Sequence, residues 1–226
     1  MDLIERVPEP ELMESPEQAR AYAAADFSAP HDAFVMAFRE RFPEFGSGRV
    51  VDLGCGTADI AVRFARAHQK VRVHGVDGAA AMLDLGAQHV RDSGTGDRIT
   101  LQRAYLPLAD PMLELGGPYD AAISNSLLHH LSDPDVLWRT ALAVLLPGAP
   151  IFVMDLRRPA STEDAETLVS TYAANEHPLL QEDFRASLCA AYTVDELWTQ
   201  IAHAGVMLTI EKLGDRHVLV WGAAPG

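Results

Sequence analysis

Apolar residues follow two rhythms along this chain. Compact runs rich in β-branched residues stand at Arg49–Leu53, Val71–Val76, Ile99–Arg103, Tyr119–Ser124 and Pro150–Asp155. Runs of this kind bounded by Gly, Pro or Asp read as buried strands. Between them the pattern changes to helical spacing, with Ile60, Ala61, Phe64, Ala65 and His68 on one face. Met82, Leu83 and Val90 do the same within Ala79–Val90, and Leu137, Ala141, Val144 and Leu145 within Asp133–Leu146. Upstream, Ser15-Pro16-Glu17-Gln18 is a helix start running to about Phe27, and Ser28-Ala29-Pro30 restarts a second helix that Pro43 stops. Its Phe34, Phe38 and Phe42 stripe predicts core packing. Downstream, Ser161–Glu176 predicts a helix and Pro178–Ala191 is compatible with helix or loop. Thr193-Val194-Asp195-Glu196 is a capping box opening a helix through Ala204. Met207–Lys212 and His217–Gly222 form a strand pair around Gly214-Asp215.

Strands alternating with helices predict an α/β fold: a wound, Rossmann-like sheet of seven strands with helices on both faces. It is mostly parallel, and the short turn near the C-terminus forces an antiparallel hairpin strand. Residues 1–45 are expected to form an N-terminal helical extension, a cap or lid, on a single globular unit over 46–226, with Met1–Glu14 as a loose acidic leader. Trp138 and Trp198 are expected to pack helices against the sheet. Lys and Arg number 18 against 32 Asp and Glu, a formal charge of −14. Such a surface repels phosphate backbones and anionic lipid, so neither nucleic acid nor a membrane is the expected partner. The apolar stretch Ala141–Met154 is broken by Pro147, Gly148 and Pro150, which excludes a span there. The expected location is cytoplasmic. Cys55 and Cys189 make no disulfide framework, and Cys55 reads as a small filler in a glycine turn.

The candidate chemistry centres on Val50–Ile60, Val-Val-Asp-Leu-Gly-Cys-Gly-Thr-Ala-Asp-Ile. A strand, a tight glycine turn and a helix start in succession present backbone N–H groups to a ligand. A dinucleotide fingerprint places a third Gly where this chain has Asp59. The acid inside the strand end, Asp52, suits a cationic ammonium and sulfonium better than a pyrophosphate. Asp-Leu-Gly-Cys-Gly-Thr resembles motif I of the class I S-adenosylmethionine-dependent methyltransferases, and the C-terminal hairpin is similar to theirs and unlike a nicotinamide dehydrogenase. The resemblance covers roughly Arg49–Gly222.

It implies S-adenosyl-L-methionine as cofactor and a set of residues to hold it. Asp52 faces the methionine moiety, and Gly54, Cys55 and Gly56 form the turn, with Ala58 tolerable in place of a third Gly if already helical. Asp77 accepts the ribose hydroxyls, or alternatively caps the helix after it. Gly78 and Met82 line the adenine. Ala104 and Tyr105 stand where the family usually has an Asp, so backbone groups substitute. Asn125 meets the methionine ammonium. The run Ser124–Leu131 resembles small-molecule methyltransferases rather than nucleic-acid amino-methylases, so the expected reaction is methyl transfer to O or N of a small molecule. Candidate catalytic residues are His129, His130 and Tyr22. No metal is expected, because adjacent helical histidines diverge by about 100°. Arg157 or Arg158 could clamp a carboxylate, and Tyr172 and His177 are possible rim residues. Two other outcomes use the same pocket: a cyclase that expels methylthioadenosine from the cofactor to form an azetidine ring, and a cofactor-binding protein without catalysis. The pattern leaves the oligomeric state open.

Overall fold

A computed structural model describes residues 4–9 and 15–226. Five strands run parallel: β1 (Ser47–Leu53), β2 (Lys70–Asp77), β3 (Ile99–Arg103), β4 (Ala121–Asn125) and β5 (Pro150–Leu156). β6 (Leu208–Leu213) and β7 (His217–Ala223) form the hairpin, and β7 inserts antiparallel between β5 and β6. The order across the sheet is β3-β2-β1-β4-β5-β7-β6. β1 lies between β2 and β4, so the loops leaving β1 and β4 diverge to opposite sides. That divergence opens a crevice at the carboxyl ends of the strands.

Strand residues alternate between two cores. On one face Val51, Leu53, Ile151, Val153 and Val220 meet α6 (Asp135–Val144) and α9 (Val194–His203) through Leu137, Trp138, Leu197 and Ile201. On the other, Val50, Ile123, Phe152, Met154 and Leu219 pack against α2 (Ser28–Arg41) and α3 (Asp59–Ala67). Phe34 and Phe38 of α2 are fully buried, with edge-to-face contacts to Phe152 at ring-centroid distances of 4.9 and 5.5 Å. The aromatic stripe is thus core, and it fixes α2 on the sheet.

α1 (Pro16–Ala24) is capped by Ser15, and α9 carries the full Thr193–Glu196 capping box. α7 (Thr162–Tyr172) ends short of the expected boundary, and α8 (Pro178–Ala190), capped by His177, resolves the ambiguous stretch as helix. The loop after β3 contains a short helix, α5 (Pro111–Leu115), with Asp110 as its cap. α4 (Ala80–Asp92) links β2 to β3. Trp198 departs from expectation: it is 48% exposed, whereas Trp138 is buried and donates its indole N–H to Gln200. The expected loose leader is corrected where it is described. Arg6 donates to the carbonyls of Ala190, His129 and Leu131, and Val7 N–H donates to Cys189 O, so residues 4–9 are docked. The rest of that stretch, 1–3 and 10–14, lies outside the described residues. Among the described residues no helix is long and apolar enough to cross a membrane.

Candidate active site

The turn after β1 is built by closing its donors onto β2. Gly54 N–H and Cys55 N–H donate to Val76 O at 2.8 and 3.0 Å, and Gly56 N–H donates to Asp77 Oδ2 at 2.8 Å. The expectation that these amides present themselves to a ligand is therefore corrected: the glycines supply shape and close approach. Gly54 has φ +75°, and a Cβ there would lie 2.8 Å from the Leu127 Cβ. Ala58 does not meet the condition, a helical backbone, under which Ala replaces Gly without cost. Its φ of 60° is left-handed, the conformation for which Gly is preferred. Cys55 is buried against Gly75 and burial pushes its thiol well up, as befits a filler.

One residue invisible to the motif reading supports the turn. Gly86 in α4 lies so close that a Cβ would stand 3.2 Å from Gly56 O and Thr57 C. Gly86→Val is expected to displace the turn, costing about 1–3 kcal/mol of stability. Cofactor affinity should fall roughly tenfold for each ~1.4 kcal/mol of that strain that falls on the binding geometry. Calorimetric titration alongside thermal unfolding checks both, and unchanged affinity would break the link between Gly86 and the turn.

A cavity of about 510 Å³ opens over this turn. Its walls include Asp52, Gly54, Cys55, Gly56, Asp77, Gly78, Met82, Ala104, Tyr105, Asn125, His129, His130 and Tyr22. Every residue singled out for cofactor or catalysis therefore borders one space. Asp52 is 1% exposed, and its Oδ2 has no hydrogen-bond partner; the same holds for Asn125 Oδ1 on the adjacent strand. Burial, with the Asp77 carboxylate adding, pushes the Asp52 carboxyl up to about 8. Two orphaned acceptors at neighbouring strand ends fit an ammonium donor. Asp77 takes the capping role weighed for it: Oδ1 accepts from Ala79 N–H at 2.8 Å, while Oδ2 holds Gly56. Each carboxylate oxygen keeps a further lone pair for a ligand hydroxyl. Ala104 borders the cavity with its N–H donating to Asp77 O, which leaves its carbonyl as the backbone group that could stand in for the Asp. Tyr105 is 46% exposed at the rim, its hydroxyl bonded to Arg103.

α1, α2 and the link between them add a further wall through Tyr22, Phe27 and His31. Tyr22 packs with Met82 and Ala79 and lies 4.6 Å, centroid to centroid, from Phe27. Burial and the Asp59 and Asp77 carboxylates push its phenol up to about 12, so it is a donor and not a base near neutrality. His31, missed in the sequence, meets Asp59 Oδ2 through Nδ1 at 2.5 Å, and Arg63 donates to the same oxygen at 2.7 Å. Burial opposes ionisation of Asp59, yet these partners hold it down at about 2.

The far end of the cavity is walled by Leu131, Leu156, Leu180 and Phe184, with Asp183, Ser187 and His217 among the polar groups. Burial lowers His217 to about 4, so it is neutral. His129 is fully enclosed, and its Nδ1 meets Asp155 Oδ1 at 2.5 Å. The expected divergence of the two histidines is overturned. They lie on a single 3-10 turn, Leu128–His130, with ring centroids 4.2 Å apart. Both converge on Glu9 Oε1, at 3.3 Å from His129 Nε2 and 3.3 Å from His130 Nδ1. The spacing rule describes Cβ directions, and imidazole is long enough to fold back towards a shared carboxylate. Tyr172 borders the cavity with its hydroxyl on Asp215, whereas His177 serves as a helix cap. Arg157 donates to Asp215 O, and the buried Arg158 donates to Glu196 and Ala191 O, so neither clamps a ligand. Glu9, Asp183 and His217 carried no local motif, being brought in by distant segments.

Comparison with known proteins agrees with this geometry. Residues 50–148, which hold the turn, both strand-end acids and Asn125, match a family model described as a methyltransferase domain. The chain is 25% identical to a ubiquinone biosynthesis O-methyltransferase of Chromobacterium violaceum, over 79% of this chain and 73% of that protein. It is 30% identical to a ubiquinone/menaquinone biosynthesis C-methyltransferase of Vibrio cholerae, over 55% of this chain and 47% of that protein. Across several curated relatives the share spanned runs from 26% to 73% of their length. A solved S-adenosylmethionine-dependent methyltransferase of Aquifex aeolicus has the same fold: TM-score 0.67, 15% identity, 92% of this chain and 98% of that one. The domain match lies on the residues that shape the cavity, so residues 50–148 are similar to a methyltransferase domain, and the hairpin-ended sheet shares the fold of that solved S-adenosylmethionine-dependent methyltransferase along nearly its whole length.

Proposed function

We propose that the protein transfers a methyl group from S-adenosyl-L-methionine to an oxygen or nitrogen of a small-molecule acceptor. The observation that carries this reading is the pair of orphaned acceptors, Asp52 Oδ2 and Asn125 Oδ1, in the same cavity as the glycine turn and Asp77. Asp52 and Asn125 take the methionine ammonium. Asp77 takes the ribose hydroxyls while holding the turn in place, and Gly78, Met82 and Tyr105 border the adenine. Residues 1–45 contribute a cover through Tyr22, Phe27 and His31, all of which border the cavity.

The cofactor supplies an already activated methyl group, so the chain's task is alignment and exclusion of water. The apolar far wall, Leu131, Leu156, Leu180 and Phe184, fits an acceptor with an apolar body. The formal charge of −14 disfavours a nucleic-acid acceptor. His129 and His130 stand at that end, and Tyr22 donates rather than accepts a proton. Incubation with S-adenosyl-L-methionine and a panel of hydroxylated and amino-bearing small molecules is expected to yield S-adenosylhomocysteine only when an acceptor is present. Methylthioadenosine formed without an acceptor would replace this reading by cyclisation, and binding without any product would leave a cofactor-binding protein.

A further inference from the structure

The cluster around Glu9 is not explained by cofactor binding. The Glu9 side chain is 10% exposed and His129 3%. Glu9 Oε1 lies 3.3 Å from a nitrogen of each histidine, yet it accepts no hydrogen bond of adequate geometry. A charge-assisted hydrogen bond would be shorter, about 2.7–2.9 Å. A separation of 3.3 Å instead matches the edge of a coordination tetrahedron with metal–ligand bonds of about 2.0–2.1 Å, which is roughly 3.4 Å. One donor atom from each of Glu9, His129 and His130 falls within 4.8 Å of the other two.

The surroundings also suit a cation. His129 Nδ1 faces Asp155, leaving Nε2 turned towards Glu9. Asp155 is itself held by the N–H groups of Leu128 and Leu156 at 2.7 and 2.6 Å. A carboxylate that fixes the outer nitrogen of a histidine is the usual support of a metal-bound imidazole. Glu9 and Asp155 each carry a negative charge when ionised, and a dication with two neutral imidazoles makes the buried group neutral. Glu9 is delivered from far along the chain by Arg6, whose guanidinium spans three carbonyls and lies 4.1 Å over the Tyr192 ring.

We propose that Glu9, His129 and His130 bind a divalent transition-metal cation of the zinc type at the far end of the cavity. Two imidazoles and one carboxylate suit Zn²⁺, Co²⁺ or Fe²⁺ and not Mg²⁺ or Ca²⁺, which favour oxygen alone. Three protein ligands leave a position for water or an acceptor oxygen, and both histidines border the cavity. The acceptor class this selects is a hydroxyl-bearing one, a step that rests on the methyltransferase reading, whereas the metal site does not.

The test uses the full chain, stripped with chelator and titrated with Co²⁺ and Zn²⁺. One equivalent of Co²⁺ per chain is expected to give visible d–d absorption, and Zn²⁺ to displace it and raise the melting temperature. Glu9→Gln and His130→Ala should each weaken binding at least about 100-fold, and Asp155→Asn about 10–100-fold. Heat of S-adenosyl-L-methionine binding should persist in Glu9→Gln, which also shows that the variant is folded. Absence of saturable binding in wild type, or binding undiminished in Glu9→Gln and His130→Ala, overturns the site and leaves an ion pair. Metal binding without any heat from S-adenosyl-L-methionine would instead retain the site and remove the methyltransferase reading.

Discussion

Replacing Asp77 with Ala is expected to reduce S-adenosyl-L-methionine affinity at least about 100-fold and to cost about 2–4 kcal/mol of stability. Two losses coincide. The carboxylate accepts from Gly56 N–H and Ala79 N–H, both at 2.8 Å, so it ties the glycine turn to the start of α4. Hydrogen bonds to a charged group contribute about 1.5–3 kcal/mol each, and the ribose contacts are lost in addition. Asp77→Asn keeps one carbonyl acceptor, but its amide meets the second backbone N–H donor to donor. It should therefore fall between wild type and Asp77→Ala in both measurements. Calorimetric titration with thermal unfolding separates the effects, and full affinity in Asp77→Ala would remove this residue from the binding site.

Cofactor affinity is also expected to rise with pH, by up to tenfold per unit between about pH 6 and 8. With its carboxyl pushed up to about 8, Asp52 is protonated in the ligand-free protein below that value. A cationic ligand prefers the ionised form, so binding expels the proton and is weakened by every unit the pH lies below about 8. Titrations at pH 7 in buffers of different ionisation enthalpy should show close to one proton released. Above about 8 the ligand's own α-amino group loses its charge, so affinity peaks there. Asp52→Asn should abolish the rising limb. Stability of the free protein runs the other way. The native state holds a proton that the unfolded chain releases in the ordinary carboxylate range, so this group lowers stability progressively from about pH 4 to 8. A flat affinity profile in wild type would show that Asp52 does not face the charged end of the ligand.

What could be read along the chain was what short spans decide. Glycines after a strand, an acid at the end of the next strand and a Ser or Thr before a helix act over a few residues. Gly54, Asp77, Ser15 and Thr193 were therefore found where they were expected. The hairpin was equally local, set by the turn at Gly214. Where the same local logic was extended, it failed for physical reasons. The turn amides seemed free because their acceptor, Val76 O, lies on another strand. Ala58 was tolerable in place of Gly only if helical, and its left-handed φ shows that the condition is not met. Trp198 seemed a core residue on size alone, yet it lies on the outer side of a helix whose Leu197 and Ile201 are buried.

The order of residues thus determined the sheet, its glycine turn and the two acids that make the cavity suit an adenosylated cation, because neighbouring backbone groups dictate those features. Tertiary structure alone decided that Asp52 Oδ2 and Asn125 Oδ1 lack partners, that His31 meets Asp59, and that Glu9 arrives at two histidines from another part of the chain. Burial and long-range contact set those outcomes, and neither has a period or a spacing that a linear chain displays.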